Sequence, residues 1–562
     1  MLYKYISVFF YLSLLFPYIS ADAVGKHGLV VSSKEAASQI GIDILKKGGN
    51  AIDAAIGVSF ALSVTHPSAG NLGGGGFMVI KFADGKSTTI DYREVAPIAS
   101  SKNMYLDEFG EVITGLSTLS ALSSGVPGTV SGLGYVHNKY GSMKWSSLIY
   151  PSIILAEFGY NLDAHNVSLF NNEYLKSKLS YYSSSKNIFT KENSFELNDL
   201  FIQKDLSRTL SRISDYGYKE FYNGLTSDLI VECMNKNGGI ISKEDLNNYR
   251  PIEADPISFS YRDFNIVSMP PSSSGGITLA LILKQLEYFD ISSYSFHDSK
   301  HVHSFVESEK RAYAERHKYL GDTRFVDIPY ELLLSDEYSH DLFRSINDSL
   351  STPSNDIYTQ EITFDAESEE TTHFSIIDKY GNCVSVTTTL NGWFGNGIVV
   401  DGAGFLLNNE MDDFSSKPGH PNMYGLVGSE ANSIEPGKRM LSSMTPTIVS
   451  HKDNSPYLIL GSPGGSTIIT TIAQIVSNVI DFNMEIKDAV EAKRFHHQWL
   501  PDLIQIENHS LSIETINKLE SMKHEIKYRS STGIGEANCI MIDNNYYYGA
   551  GDSRRGAKAI AY

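Results

Sequence analysis

The sequence holds only three cysteines in 562 residues. Cys233, Cys383 and Cys539 lie far apart and form no C-x-x-C pair, which speaks against a disulfide framework and against a thiolate metal site. Positive charge is also short: 46 Lys+Arg against 65 Asp+Glu leave a net charge of −19. A chain this acidic repels phosphate backbones, and no Lys/Arg run carries interleaved aromatics, so nucleic acid is not an expected partner. No segment after the first residues has the pattern of a membrane span. Tyr5–Ile19 follows Lys4 without a charge and leads into Ser20-Ala-Asp-Ala23. The run is shorter than the ~20 residues of a spanning helix, and Pro17 interrupts it. It reads as a secretory signal peptide, residues 1–23, cleaved after Ala23. The mature chain is expected to be exported, periplasmic or secreted, with no stable membrane insertion.

What is present is enough apolar residue for a large core, 42% hydrophobic against 20% charged. Ser32-Ser-Lys-Glu35 has the form of a capping box opening a helix through Leu45. Asn50 caps a second, almost wholly apolar helix, Ala51 to Val64, of the kind found inside a large core. The Gly-rich loop Gly70–Gly76 leads into a predicted hairpin, Phe77–Phe82 with Ser87–Tyr92, around Asp84-Gly85. No G-K-[ST] follows the loop, so it is not a phosphate cradle. Residues 140–345 read as mainly helical, and the alternating charges of Glu307–Tyr319 read as a solvated face. His301-x-His303 and His496-His497 lack a convergent ligand set; no metal or cofactor is expected.

Residues Asp348–Glu370 contain no Lys, Arg or His and little apolar periodicity, as a mobile acidic connector would. It stops at Thr371-Thr372-His373. Two strand patterns follow, Phe374–Ile377 and Val384–Thr389. A turn centred on Tyr380 pairs Ile377 with Cys383 and Thr371 with Thr389. A Thr hydroxyl is a poor nucleophile unless a base takes its proton, and a freed α-amine on the same residue, titrating near ~7.7–8.0, would supply that base. Such an amine requires a cut between Glu370 and Thr371.

Thr371-Thr-His-Phe-Ser375, Gly381-Asn-Cys-Val-Ser385, Thr387-Thr-Thr-Leu-Asn391 and Phe394-Gly395 resemble the signature of the γ-glutamyltranspeptidase family. So do Asp91-Tyr-Arg-Glu-Val-Ala-Pro97, Pro270-Pro-Ser-Ser-Ser-Gly-Gly276, Tyr319-Leu-Gly-Asp322, Leu406–Ser415, Leu441-Ser-Ser-Met-Thr-Pro446 and Gly461-Ser-Pro-Gly-Gly465. The resemblance runs from about Gly28 to the C-terminus. It implies an α+β fold, the four-layer α-β-β-α sandwich of N-terminal nucleophile hydrolases, built from two autoprocessed chains, 24–370 and 371–562, that stay together as a heterodimer.

The same resemblance implies the site. Thr371 is the nucleophile, Thr389 its hydrogen-bonded partner, and the Gly464-Gly465 amides hold the oxyanion. Arg93, Ser442 and Ser443 take the substrate's α-carboxylate; Glu410, Asp413 and Asn391 take its α-ammonium. Tyr424, in the Pro/Gly-rich segment 418–430, tips a lid. His373 is expected to be structural. Substrates would be glutathione and related γ-glutamyl compounds, with water, an amino acid or a dipeptide as acceptor. Two alternatives stand beside this: a glutaryl or cephalosporin acylase, which would not require Glu410 and Asp413, and an uncut, inactive binding homologue.

Overall fold

A computed structural model describes residues 19–359, 371–529 and 533–562. Most of the expected signal segment, and the connector beyond residue 359, lie outside the described residues. Two seven-stranded sheets form the centre. The first runs, in spatial order, Lys558–Ala561, Gly28–Ser32, Thr372–Asp378, Cys383–Thr389, Gly75–Lys81, Ser87–Asp91 and Ile252–Ala254. The second runs Ala23–Gly25, Tyr546–Gly551, Asn538–Asp543, Pro456–Leu460, Thr447–His451, Phe264–Ser268 and Ile257–Tyr261.

Strand alternation sorts side chains to two faces. Leu29, Val31, Val79 and Ile377 of the first sheet pack on Ile448, Ile459 and Ile540 of the second. Val30, Met78, Phe374 and Ile376 point the other way, into the helices Glu35–Lys46 and Ala51–Thr65. On the far side, Ile266, Val449 and Leu458 pack on the helices Gly275–Leu286, Ser299–Tyr319 and Ile468–Ile480. The layers are helix, sheet, sheet, helix, as the resemblance implied.

Several local expectations hold. Asn50 caps the apolar helix through a full capping box with Asp53. The hairpin around Asp84-Gly85 forms, pairing Lys81 with Ser87. The hairpin that Thr371 opens has the deduced register, Ile377 opposite Cys383 and Thr372 opposite Thr388. The Gly-rich loop serves close packing: a Cβ at Gly74 would stand 2.1 Å from the Thr389 carbonyl oxygen.

Two local expectations fail. Ser32 caps nothing; it is the last residue of a central strand paired on both sides, its hydroxyl donates to the Lys34 carbonyl, and the helix starts at Glu35 without a side-chain cap. Backbone pairing of the strand outcompetes the local motif. The charges of Ser299–Tyr319 are not solvated either: Glu307, Glu309, Lys310 and Arg311 are buried. Glu307 is neutralised one turn on by Lys310 (3.1 Å) and Arg311 (2.8 Å). Their remaining donors hold Ser351 Oγ (2.6 Å), the Thr352 carbonyl (2.9 Å) and the Ser345 carbonyl (2.8 Å).

The start of the expected connector is therefore anchored. Ser354 N donates to Asp502 (2.8 Å), and Ser354 and Trp499 exchange hydrogen bonds. At the other end, Asp22 and Ala23, the last residues of the expected signal segment, already join the second sheet: Asp22 N donates to the Gly549 carbonyl (2.8 Å) and Ala23 pairs with Gly549.

Candidate active site

Thr371 sits at the head of the strand Thr372–Asp378, and Thr389 ends the strand beside it. Both line one pocket with Arg93, Asn391, Glu410, Asp413, Tyr424, Ser442, Ser443 and Gly465, walled by Leu426, Leu441, Met444 and Ile468. Of the residues singled out from the sequence, only Gly464 is not in the lining, and it is bonded to one that is. Residues separated by up to 375 positions are thus assembled from the first sheet, the loops at the ends of both sheets and the helix Ile468–Ile480.

Arg93 follows the strand Ser87–Asp91, and its backbone is fixed on both sides. Its N–H donates to Asp91 (2.8 Å), and its carbonyl accepts from the Tyr249 hydroxyl (2.9 Å). Glu410 and Asp413 occupy a single 3-10 turn, Glu410–Asp413. Three residues per turn bring positions i and i+3 onto one face, so the two carboxylates point together. Asn408 sets that turn: its Oδ1 accepts from Glu410 N (3.0 Å) and Gly125 N (2.8 Å), and its Nδ2 donates to the Gly73 and Gly125 carbonyls.

The groups expected to meet opposite ends of a substrate are here paired with each other. Arg93 NH1 donates to Glu410 and NH2 to Asp413, each at 2.5 Å. Buried charges must be paired to persist. Burial alone would lower the Arg93 guanidinium; its carboxylate neighbours outweigh that and raise it. Burial raises Glu410 and Asp413, with Arg93 opposing. Glu94 is a third carboxyl, 3.7 Å from Arg93, wholly buried, with neither oxygen hydrogen-bonded. Burial pushes it up to about 8. Arg93 opposes that rise as well, so three buried carboxyls share one guanidinium at this end of the pocket.

Gly464 (φ 135°) and Gly465 (φ 56°) lead into the 3-10 turn Gly465–Thr467 and the helix Ile468–Ile480. Both φ values favour glycine, and the turn leaves main-chain N–H groups at a helix start, where negative charge is stabilised. Tyr424 covers it: a Cβ on Gly465 would fall 2.4 Å from the Tyr424 ring. The covering loop is tied down by Asn422 Nδ2 to Asp413 (2.9 Å), Met423 N to Asp412 (2.9 Å) and Gln498 Nε2 to the Tyr424 carbonyl (3.2 Å). His373 is buried away from the pocket chemistry. Its ring nitrogens meet Thr387 Oγ1 (2.9 Å) and Ser375 Oγ (3.1 Å), and burial lowers it to about 3.

Asn408, Glu94 and Arg316, which bonds Ser443, were not reached from the sequence. Asn408 and Glu94 are next-but-one and next neighbours of site residues, and that adjacency was the available signal. Arg316 gave none, because its charge belongs to the helix read as solvated. Among the described residues, His303, Glu307 and His524 lie close enough to share a metal ion. Their atoms are already committed: His303 Nδ1 meets His524 Nε2 (2.8 Å), His303 Nε2 meets the Asn347 carbonyl (2.8 Å), and Glu307 faces two cations.

Two facing antiparallel sheets between helical layers, with a threonine at the head of a central strand above a glycine-amide turn, define an N-terminal nucleophile hydrolase. A family model described as gamma-glutamyltranspeptidase matches residues 37–562. The chain is 44% identical over 533 residues to a glutathione hydrolase proenzyme of Escherichia coli (strain K12), covering 94% of this chain and 90% of that one. Among solved structures, a cephalosporin acylase from Bacillus halodurans matches with a TM-score of 0.83 at 25% identity, over 97% and 98% of the two chains. A γ-glutamyltranspeptidase from Helicobacter pylori matches with a TM-score of 0.57 at 42% identity, over 60% of this chain and 94% of that one. This chain belongs to the γ-glutamyltranspeptidase family and is an enzyme. Among the described residues no helix is long and apolar enough to cross a membrane.

Proposed function

We propose that this protein is an exported γ-glutamyltransferase and glutathione hydrolase that cuts itself between Glu370 and Thr371, leaving chains 24–370 and 371–562 as a heterodimer. The observation that carries this reading is the convergence of Thr371, Thr389 and Gly465 with Arg93, Glu410, Asp413, Asn391, Ser442 and Ser443 on one pocket. In the precursor, Thr371 Oγ attacks the Glu370 carbonyl; the peptide C–N bond breaks and its nitrogen takes up the hydroxyl proton, becoming the Thr371 amine, and water then hydrolyses the ester, freeing the Glu370 carboxylate and the Thr371 hydroxyl. In turnover, that amine takes the Thr371 hydroxyl proton as Oγ attacks the γ-carbonyl. Negative charge on the carbonyl oxygen is met by the Gly464-Gly465 amides, aimed where charge develops. The amine returns the proton to the departing nitrogen. Water, or an amino acid or dipeptide amine, then attacks the acyl-enzyme by the same route.

A γ-glutamyl head brings one carboxylate, for Arg93, Ser442 and Ser443, and one ammonium, for Glu410, Asp413 and Asn391. It enters the Arg93–Glu410–Asp413 cluster with no change in net charge. A glutaryl head brings the carboxylate alone and adds an uncompensated negative charge to a buried site. That decides for glutamyl over the acylase reading, although the overall fold is shared with a cephalosporin acylase. Two measurements test it: mass spectrometry of each band on a denaturing gel, where a chain starting at Thr371 is expected, and turnover of a γ-glutamyl against a glutaryl chromogenic amide. A stable single chain would overturn the nucleophile assignment, and glutaryl preference the substrate assignment.

A further inference from the structure

Arg316 lies buried near the end of the helix Ser299–Tyr319. Its Nε donates to Ser274 Oγ (2.9 Å) and its NH2 to Ser443 Oγ (3.3 Å). Ser274 Oγ donates in turn to the Ser442 carbonyl (2.7 Å), which also accepts from Ser274 N (2.8 Å). One guanidinium therefore grips the Ser442-Ser443 pair from behind at two points.

The direction of these bonds matters. A serine hydroxyl has one proton and two acceptor positions. Ser443 Oγ accepts from Arg316, and Ser442 Oγ accepts from Met444 N (3.1 Å). Each keeps its own proton to donate, and both hydroxyl residues line the pocket. A hydroxyl polarised by a charged donor is the stronger donor in its turn.

Charge points to the same residue. Arg316 and Asp413 line a small polar cavity beside the main pocket. Burial raises the Asp413 carboxyl, and the charges of Arg93 and Arg316 oppose that rise. If Arg93 turns to a substrate carboxylate, Glu410 and Asp413 lose part of their balance; a second buried guanidinium restores it.

We infer that Arg316 is a positioning residue for the γ-glutamyl head: it makes the Ser443 hydroxyl a donor to the substrate α-carboxylate and supplies the second cation that balances Glu410 and Asp413 when substrate occupies Arg93. The inference rests on the γ-glutamyl reading. Arg316 acts through Ser443 and Asp413 rather than by contact with the reacting atoms.

The test is steady-state kinetics of the processed enzyme with a γ-glutamyl anilide, for Arg316→Gln, Arg316→Lys, Ser443→Ala and Arg316→Gln combined with Ser443→Ala. Loss of a hydrogen bond to a charged group is expected to raise KM by roughly 10- to 100-fold in Arg316→Gln, with kcat within about threefold of the parent. The two losses are coupled, so Arg316→Gln should raise KM far less in the Ser443→Ala background than alone. Arg316→Lys keeps the charge but not the fork and should fall between parent and Arg316→Gln in KM. If Arg316→Gln does not mature, the lysine variant alone decides, and a parental KM there overturns the inference. Independent, multiplying effects of Arg316→Gln and Ser443→Ala, or a fall in kcat at unchanged KM, also overturn it. Failure of the underlying reading looks different: Ser443→Ala would leave KM unchanged, or the parent enzyme would prefer the glutaryl anilide.

Discussion

The Tyr424 hydroxyl donates to the Asn391 carbonyl oxygen at 2.8 Å. Asn391 stands two residues beyond the strand that ends in Thr389, and the Tyr424 ring lies on Gly465. One side chain in the covering loop therefore touches both the segment leaving the Thr372–Thr389 hairpin and the glycine turn. Tyr424→Phe removes the bond and keeps the ring. A neutral hydrogen bond contributes about 1 kcal/mol, so KM for a γ-glutamyl anilide should rise about three- to tenfold with kcat little changed. A fall in kcat at constant KM would move Tyr424 from covering the pocket to the chemical step.

Arg93→Ala should do two things at once. It leaves Glu410 and Asp413 buried without their cation, and breaking a buried pair costs about 3–5 kcal/mol. It also removes the group proposed to meet the substrate's carboxylate, which should raise KM by about 100-fold. The Thr371 hairpin is untouched, so the chain should still be cut in two. Adding Glu410→Gln removes one orphaned charge and should recover part of the lost Tm. If Arg93→Ala alone melted like the parent, the Arg93–Glu410–Asp413 pairing would not be a feature of the enzyme in solution.

Thr371→Ala removes the hydroxyl that both processing and turnover would use. It should give one uncut chain on a denaturing gel and no anilide hydrolysis. Thr371→Ser keeps a hydroxyl and should mature, more slowly. Activity in the alanine variant would take Thr371 out of the mechanism.

How much of this was legible in the sequence depends on how local each feature is. The hairpin of Thr372–Asp378 and Cys383–Thr389 is joined by four residues, so a turn position fixed its register, and with it the approach of Thr371 to Thr389. Asn50 and Asp53 cap their helix from three residues apart. The sheets are another matter. Gly28–Ser32 pairs with Thr372–Asp378 and with Lys558–Ala561, and no pattern near Ser32 announces partners hundreds of residues away. That is why a plausible capping box was read where a central strand runs. The helix Ser299–Tyr319 shows the complementary failure. Charges spaced i, i+3 and i+4 look the same whether water or opposite charge satisfies them, and here Glu307, Lys310 and Arg311 satisfy one another and the chain at 345–352. Arg316 was hidden for the same reason. The pocket residues were reached through motif resemblance, since their convergence on Arg93 is a property of the assembled sheets.

Buried imidazoles set the pH range over which the enzyme should be stable. Burial lowers His301, His373, His496 and His524 to about 3, and His297 and His497 to about 4. In the unfolded chain each titrates near ~6.5. Between ~6.5 and their folded values the unfolded chain binds more protons, so stability rises with pH there and is lost as pH falls. Each group adds up to one proton to the slope, ~1.4 kcal/mol per pH unit. Glu94 and Glu536 act in the opposite sense. Burial raises them to about 8 and about 7, so their contribution is complete below the unfolded carboxyl value and is lost as pH rises through 7 to 8. Six imidazoles outweigh two carboxyls in the shared window. Tm should therefore peak between about pH 6 and 7, fall steeply toward pH 4.5, and fall gently toward pH 8. Calorimetric melting of the processed enzyme across pH 4.5–8.5 checks this, and Glu536→Gln should steepen the acid limb and leave the slope above about pH 7 unchanged. A Tm constant from pH 4.5 to 6.5 would show that these histidines take up protons in the folded enzyme, and that the packing around His373 is looser than the hydrogen bonds to Thr387 and Ser375 require.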